Sequence, residues 1–180
     1  MRKEAGMNAR GVSLVELVVV LAILAILLAI VLPSYAYFSA VNRVAAFTND
    51  VVGALQLARS EAIRRATRVT VCVSAAAMDP APSCQPAASW QDGWIVFVDG
   101  GVSGTLDGDD QVIRVAGGQA VRGDLTISSN FADFVSYLAS GESRGQTNLG
   151  NGTLSLCLEG HMRSIIVNNT GRVRLETEAC

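Results

Sequence analysis

At 180 residues the chain suits one modest domain with an appendage. Half of its residues are hydrophobic and 17% are charged, with the apolar excess concentrated near the N-terminus, so the remainder reads as an ordinary globular domain. A formal net charge of −2 argues against a generally nucleic-acid-binding surface and leaves room only for a local basic patch.

The first eleven residues are polar, and Arg2, Lys3 and Arg10 outnumber Glu4. Basic residues ahead of an apolar segment keep that end cytoplasmic and send the other end outward. Val12 to Leu32 follows, twenty-one residues that as a helix extend about 31 Å, enough for a hydrocarbon core of about 30 Å. Glu16 is the one carboxylate in that run. An ionised group in lipid costs at least a few kcal/mol and by default marks function. One reading is a secretory signal cut at Ser34-Tyr35-Ala36, but such signals carry only ~7–15 apolar residues, and Glu16 interrupts the start. A plain single-span anchor is another reading, and it leaves Glu16 without a purpose.

Pro33 lacks the N–H that a helix interior needs and is expected to kink or loosen it. Beyond it, Val44, Phe47, Val51, Leu55, Ala58 and Ala62 recur at three- and four-residue intervals and form one apolar stripe. Asn42, Arg43, Asn49, Asp50, Gln56, Arg59 and Arg64 lie largely away from that stripe. One helix is therefore expected from Val12 to Ala66, about 80 Å long if straight, its second half packed on a globular domain. Arg59 to Ile63, with Arg64 and Arg65, reads as a solvated face with Glu61 among the bases, rather than as a nucleic-acid patch.

After Ala66 the pattern alternates. "RVTVCVS", "GWIVFVD", "QVIRVAG", "LTIS", "FVSYL", "TLSLCLE", "RSIIVNN" and "GRVRLE" read as short strands. Turn-rich stretches such as Asp79-Pro80, Gly100-Gly101, Asp107-Gly108-Asp109 and Gly150-Asn151-Gly152 separate them. The expected fold class is α+β, a long N-terminal helix with a membrane-spanning first half, packed on a C-terminal domain of antiparallel sheets. Cys72, Cys84, Cys157 and Cys180 contain no C-x-x-C pair, which zinc or thioredoxin-type chemistry usually needs. An even number behind a membrane-directed N-terminus favours disulfides. Three pairings are possible; the sequence-local one, Cys72–Cys84 with Cys157–Cys180, is preferred over the other two and over free buried thiols. It would tether the Ala/Pro/Ser-rich loop from Ala75 to Ala88.

The basic leader ending at Gly11, an apolar residue at Val12, Glu16 four positions on, the apolar helix and Pro33 together resemble a type IV prepilin or pseudopilin. "LQLARSEAIRRATRVTVCVS", "WQDGWIVFVD" with its aspartate-rich turn and "VIRV", and "SIIVNNTGRVRLE" resemble the GspH/FimT/FimU group of minor pilins and pseudopilins. The resemblance implies a leader over 1–11, an assembly helix over 12–66 with its transmembrane part at 12–32, and a β domain over 67–180. It implies cleavage by prepilin peptidase after Gly11 and methylation of the new amino terminus at Val12, where the family more often has Phe. Glu16 would then meet the amino terminus of a neighbouring subunit. The implied partners are that peptidase and other minor and major pilins or pseudopilins, with no small-molecule substrate and no cofactor. The implied location is the inner membrane, single-pass with the C-terminal domain in the periplasm, and then a filament. The expected function is that of a minor pilin that initiates or caps a pilus and supports twitching motility; the alternatives are a type II secretion pseudopilin and a DNA-uptake subunit.

The last alternative rests on "GRVR", Gly171 to Arg174, because FimT-like proteins that bind DNA carry Gly-Arg-x-Arg near the C-terminus. A hairpin turning at Asn168–Gly171 is expected to set Val167 opposite Arg172, Ile165 opposite Arg174 and Arg163 opposite Glu176. Arg163, Arg172 and Arg174 would then share one exposed face, with Ile166, Val173 and Leu175 turned to the core. The neutral reading is a solvated strand face, with Arg163–Glu176 an ordinary cross-strand pair. Asp99 to Asp110 superficially resembles a calcium loop but lacks the regularly spaced oxygens and terminal Glu, and reads better as a hairpin loop. His161 is the sole histidine, which removes a multi-histidine metal site, and it reads as a turn residue rather than as the base of a Ser-His-Asp triad. Asn151-Gly152-Thr153 and Asn168-Asn169-Thr170 match the glycosylation pattern by accident in a bacterial context. No phosphate loop or nucleophile constellation is present, so an enzyme is not expected.

Overall fold

The computed structural model describes residues 13–108, 110–118, 125–131, 133–146, 148, 150–158 and 160–180, with the backbone alone at 33, 34 and 36. The chain divides into two compact units, Met1–Ser39 and Ala40–Cys180.

The helix α1 spans Leu14–Arg65 and is continuous through Pro33, so the proline removes one N–H from the ladder without ending the helix. Its start is capped by Ser13, whose Oγ accepts the Glu16 N–H at 3.1 Å. Ser-x-x-Glu is a capping-box sequence, and a carboxylate in the first turn also complements the helix dipole.

In the second unit the stripe predicted from the sequence is the helix's contact face: Val44, Phe47, Val51, Leu55, Ala58 and Ala62 are all buried, joined by Ala40 and Ala54. Thr48 is buried among them and its hydroxyl donates back to the Val44 carbonyl at 2.6 Å, so no donor is stranded. Beyond Arg65 the chain leaves the helix through Ala66, at φ 53°, with Thr67 N–H on the Ala62 carbonyl and Ala66 N–H on the Ile63 carbonyl. This is a Schellman ending with alanine where glycine is usual.

Among the described residues nine strands follow: β1 Val69–Val73, β2 Gly93–Val98, β3 Val112–Gly117, β4 Thr126–Ser129, β5 Phe134–Tyr137, β6 Ser143–Gly145, β7 Gly152–Leu158, β8 His161–Val167 and β9 Val173–Ala179. They form a five-stranded sheet in the order β3-β2-β1-β5-β6 and a four-stranded sheet in the order β4-β7-β8-β9. Every pairing between neighbouring strands is antiparallel.

One core holds both sheets on the helix: Val69, Val71, Val96, Val135 and Tyr137 from the first, Leu154, Leu156, Leu158, Ile165 and Val167 from the second. A smaller cluster of Cys72, Ala77, Ile95 and Phe97 lies on the other face of the first sheet, under the loop that the Cys72–Cys84 disulfide ties down. That is why β1 is buried at every position while β7 alternates strictly; a strand covered on both faces loses the two-residue rhythm.

Two readings change. β6 was not expected, because three residues of "SRG" carry no hydrophobic alternation. His161 opens β8 opposite Leu158, with Gly160 at φ 82° making the turn that the sequence assigned to the histidine.

The left-handed Ala66 costs about 1 kcal/mol that glycine would not incur. Ala66→Gly is therefore expected to raise stability by about 1 kcal/mol, measured as the denaturant midpoint of the full chain in detergent.

Candidate functional site

Two features stand out, the exposed first half of α1 and the β8–β9 hairpin. Every large hydrophobic residue from Leu14 to Leu32 is exposed, at 47% to 77%. Mean hydropathy reaches 3.3 over an 18-residue window of the helix, long and apolar enough to cross a membrane. Glu16 is exposed at the start of this surface. The Gly11 and Val12 positions and the leader lie outside the described residues. The capping role of Ser13 was missed in the sequence reading, although a serine just ahead of the apolar helix carries the signal.

The hairpin differs from expectation by one residue. Its register pairs Val167 with Val173, Ile166 with Arg174, Ile165 with Leu175, Ser164 with Glu176 and Arg163 with Thr177. The cause is the turn. Asn168 N–H bonds the Arg172 carbonyl at 3.1 Å, Gly171 N–H bonds the Asn168 carbonyl at 2.8 Å, and Gly171 sits at φ 77°. This is the three-residue loop closed by a glycine bulge, which adds one residue to an evenly counted hairpin. A one-residue shift exchanges faces. Arg163 therefore shares its face with buried Ile165 and Val167, and the expected patch of three arginines does not form. Val173 and Leu175 keep the inward face expected of them, whereas Ile166 moves to the outer one. Arg172 and Arg174 remain together and line a shallow depression with Ile166 and Asn168. Arg174 is held by Glu176, 2.7 Å away.

The turn itself is braced from the helix. Arg59 Nε donates to the Gly141 carbonyl at 3.1 Å and its Nη2 to the Thr170 carbonyl at 3.0 Å, tying the β5–β6 and β8–β9 turns together. Arg59 is therefore a structural clamp, where the sequence suggested a solvated base. Arg64 faces solvent and Arg65 is half-buried, and both bind Glu61, at 2.5 and 2.7 Å. The hydrogen bond from Arg64, then that from Arg65, holds the Glu61 carboxyl at about 2, well below its ordinary 4.5.

The carboxylates of the β2–β3 loop are occupied within the protein. Buried Asp99 meets Arg68 at 2.5 Å, accepts from Thr70 Oγ1 at 2.6 Å and from Gly104 N–H at 2.9 Å. Asp107 accepts from Val102 N–H and Asp110 from Gly100 N–H. Asp109 lies outside the described residues. Among the described residues no three of His, Cys, Asp and Glu gather to hold a metal ion. The cysteines form Cys72–Cys84 and Cys157–Cys180. A cleft of about 520 Å³ beside the first of these is lined by Arg68, Arg144, Asp133 and Phe134 among others. Its two arginines are already paired, with Asp99 and Glu142.

The family model described as type II transport protein GspH matches residues 48–171, and that of the prokaryotic N-terminal methylation motif matches residues 6–32. No curated protein matches the chain. Among solved structures the chain is similar to the type IV minor pilin FimU of Pseudomonas aeruginosa, with a TM-score of 0.57 and 20% identity over 77% of this chain and 92% of that one. A second crystal structure of that protein gives a TM-score of 0.52 at 20% identity, over 73% and 90%. At this identity the likeness is one of fold: a long helix on antiparallel sheets, the pilin-like architecture.

A Cβ on Gly171 would run into the Gly141 carbonyl and crowd Arg59 and Tyr137, and its φ is left-handed. Gly171→Ala should therefore cost at least about 2 kcal/mol and lower the melting temperature of the full chain, whereas Arg172→Ala, exposed beside it, should leave stability within about 0.5 kcal/mol.

Proposed function

The chain belongs to the family of the type II transport protein GspH, and on that premise we propose that it is a minor pilin, a structural subunit of a type IV pilus that helps initiate or cap the filament and supports twitching motility. Prepilin peptidase cleaves after Gly11, Val12 becomes the methylated amino terminus, residues 12–32 anchor the subunit in the inner membrane, and the β domain faces the periplasm until assembly. The observation that carries this reading is the helix surface from Leu14 to Leu32, apolar on all sides and exposed throughout, with a single carboxylate at its start. Such a surface is stable in lipid or against other helices of its kind, and in neither case in water.

Glu16 supplies register. A carboxylate in lipid is costly, and an opposite charge recovers much of that cost. The positive amino terminus of a neighbouring subunit's Val12 is the partner we assign to it. Pro33, one N–H short of a full ladder, gives the helix a weak point just beyond the apolar run. The fold's likeness to a type IV minor pilin favours a pilus over a secretion pseudopilus, which shares the same helix. DNA capture has weaker support, since Arg172 and Arg174 stand without Arg163 and one of them is bound to Glu176.

A deletion strain complemented with wild type, Gly11→Val or Glu16→Ala tests this. Gly11→Val is expected to accumulate as the uncleaved precursor, seen by its mass. Glu16→Ala is expected to be cleaved yet fall by about tenfold or more in sheared filaments, a loss matching about 1.4 kcal/mol. Normal amounts of Glu16→Ala in filaments would overturn the assembly role. Lost twitching with intact protein secretion marks a pilus; the reverse outcome marks a type II secretion pseudopilus.

A further inference from the structure

β9 is an edge strand of the four-stranded sheet. Asn168 N–H on the Arg172 carbonyl and Cys180 N–H on the Gly160 carbonyl bracket the β8–β9 ladder. In the alternation of an antiparallel pair, Arg174, Glu176 and Glu178 then bond β8, while Val173, Leu175, Thr177 and Ala179 turn N–H and C=O outward. Among the described residues none bonds those outward groups. The strand is seven residues long, contains no proline, runs in unbroken register along β8 and is fastened at its end by Cys157–Cys180. An edge of this kind is a template for another strand, which proteins usually blunt with charge.

Here the charges form a pattern rather than a simple block. Arg172, Arg174, Glu176 and Glu178 share one face in the order plus, plus, minus, minus. We propose that a second copy of this chain adds its own β9 to this edge, antiparallel, about a two-fold axis at Leu175, which joins the two four-stranded sheets into one.

In that register Arg174 opposes Glu176 of the other copy and Arg172 opposes Glu178, each twice by symmetry. Leu175, 43% exposed in the single chain, opposes itself, and Val173 opposes Thr177. The outward-facing residues meet in hydrogen-bonded pairs, and the charged ones fall in the alternate pairs where side chains approach most closely. Glu176 already holds Arg174 of its own chain through Oε1, leaving Oε2 for the other copy's Arg174. The neighbouring two-fold registers fail: an axis at Arg174 sets arginine on arginine, and one at Glu176 sets glutamate on glutamate. An in-register parallel pairing sets like on like at all four positions. This pairing goes beyond the filament reading and rests on the sheet edge alone.

The test uses the full chain in membranes. Its described cysteines are all in disulfides, so Leu175→Cys adds the one free thiol. Hydrogen-bonded partners lie about 5.5 Å apart between Cα atoms, within disulfide reach, so mild oxidation of Leu175→Cys is expected to give a covalent dimer on non-reducing gels. Ile63→Cys, exposed on the helix, is expected not to. Arg172→Glu/Arg174→Glu makes the face all acidic, and Glu176→Arg/Glu178→Arg makes it all basic. Each, carrying Leu175→Cys and its own tag, should lose about tenfold or more of its self-cross-linking, and mixing the two should restore a mixed-tag dimer. The milder Glu178→Arg, at an exposed position, should lose a smaller share and regain it with Arg172→Glu in the same chain. Absence of a Leu175→Cys dimer, equal cross-linking by Ile63→Cys, or acidic and basic chains that pair with themselves as well as with each other would overturn the proposal.

Discussion

When Val44, Phe47, Val51 and Leu55 leave water, they do so against two sheets at once, and the remainder of the domain is arranged around that contact. Each such side chain gains about 2 kcal/mol on burial, so the stripe alone rivals a net domain stability of about 5–15 kcal/mol. Further along, Ala54, Ala58 and Ala62 are buried with almost no side chain, and their size lets the helix approach the sheets closely. Without the helix, neither sheet has a cover for its inner face. A helix that carried the same composition without the three- and four-residue spacing would leave both sheets open.

Polar groups then fix what burial leaves loose. Arg59 reaches from the helix to two carbonyls on separate turns, and Gly171 lets the second turn come close enough to receive it. Asp99, buried between Arg68, Thr70 and the Gly104 amide, anchors the β2–β3 loop at its root. In each case a charge is surrounded by hydrogen-bonding partners, the condition under which a charged group is tolerated away from water. The sequence reads Arg59 as part of a solvated face and Asp99 as part of a hairpin loop, and neither reading names these partners, because charge in a sequence carries no statement of what neutralises it.

The first half of α1 follows the opposite rule. From Leu14 to Leu32 nothing within the described residues covers it, and the one carboxylate sits in the first turn. Local chemistry accounts for that residue's backbone, whose N–H is capped by the Ser13 hydroxyl. That cap needs only the Ser13 hydroxyl, however, and does not require a charged side chain at position 16 inside an apolar run. The proposed pairing with a neighbouring amino terminus supplies the reason for the charge.

The sequence by itself determined the elements and the environments they need. The stripe from Val44 to Ala62 was legible because helical spacing is imposed by the backbone, and eight of the nine strands among the described residues because alternation is too. The exposed span was legible from composition, and the helix end at Ala66 from the change of period. Only the tertiary structure decided which charges remain free. The bulge at Gly171 moved Arg163 to the other face through a single residue of register, which no side-chain pattern on the strand could reveal because both registers bury an apolar set. Likewise β6 exists because β5 and the turn beside Asn169 give its backbone partners, and Arg59 is a clamp because two turns distant in sequence end within its reach. Register and long-range partners depend on where chain segments meet, and that is settled by packing the whole domain rather than by any stretch of it.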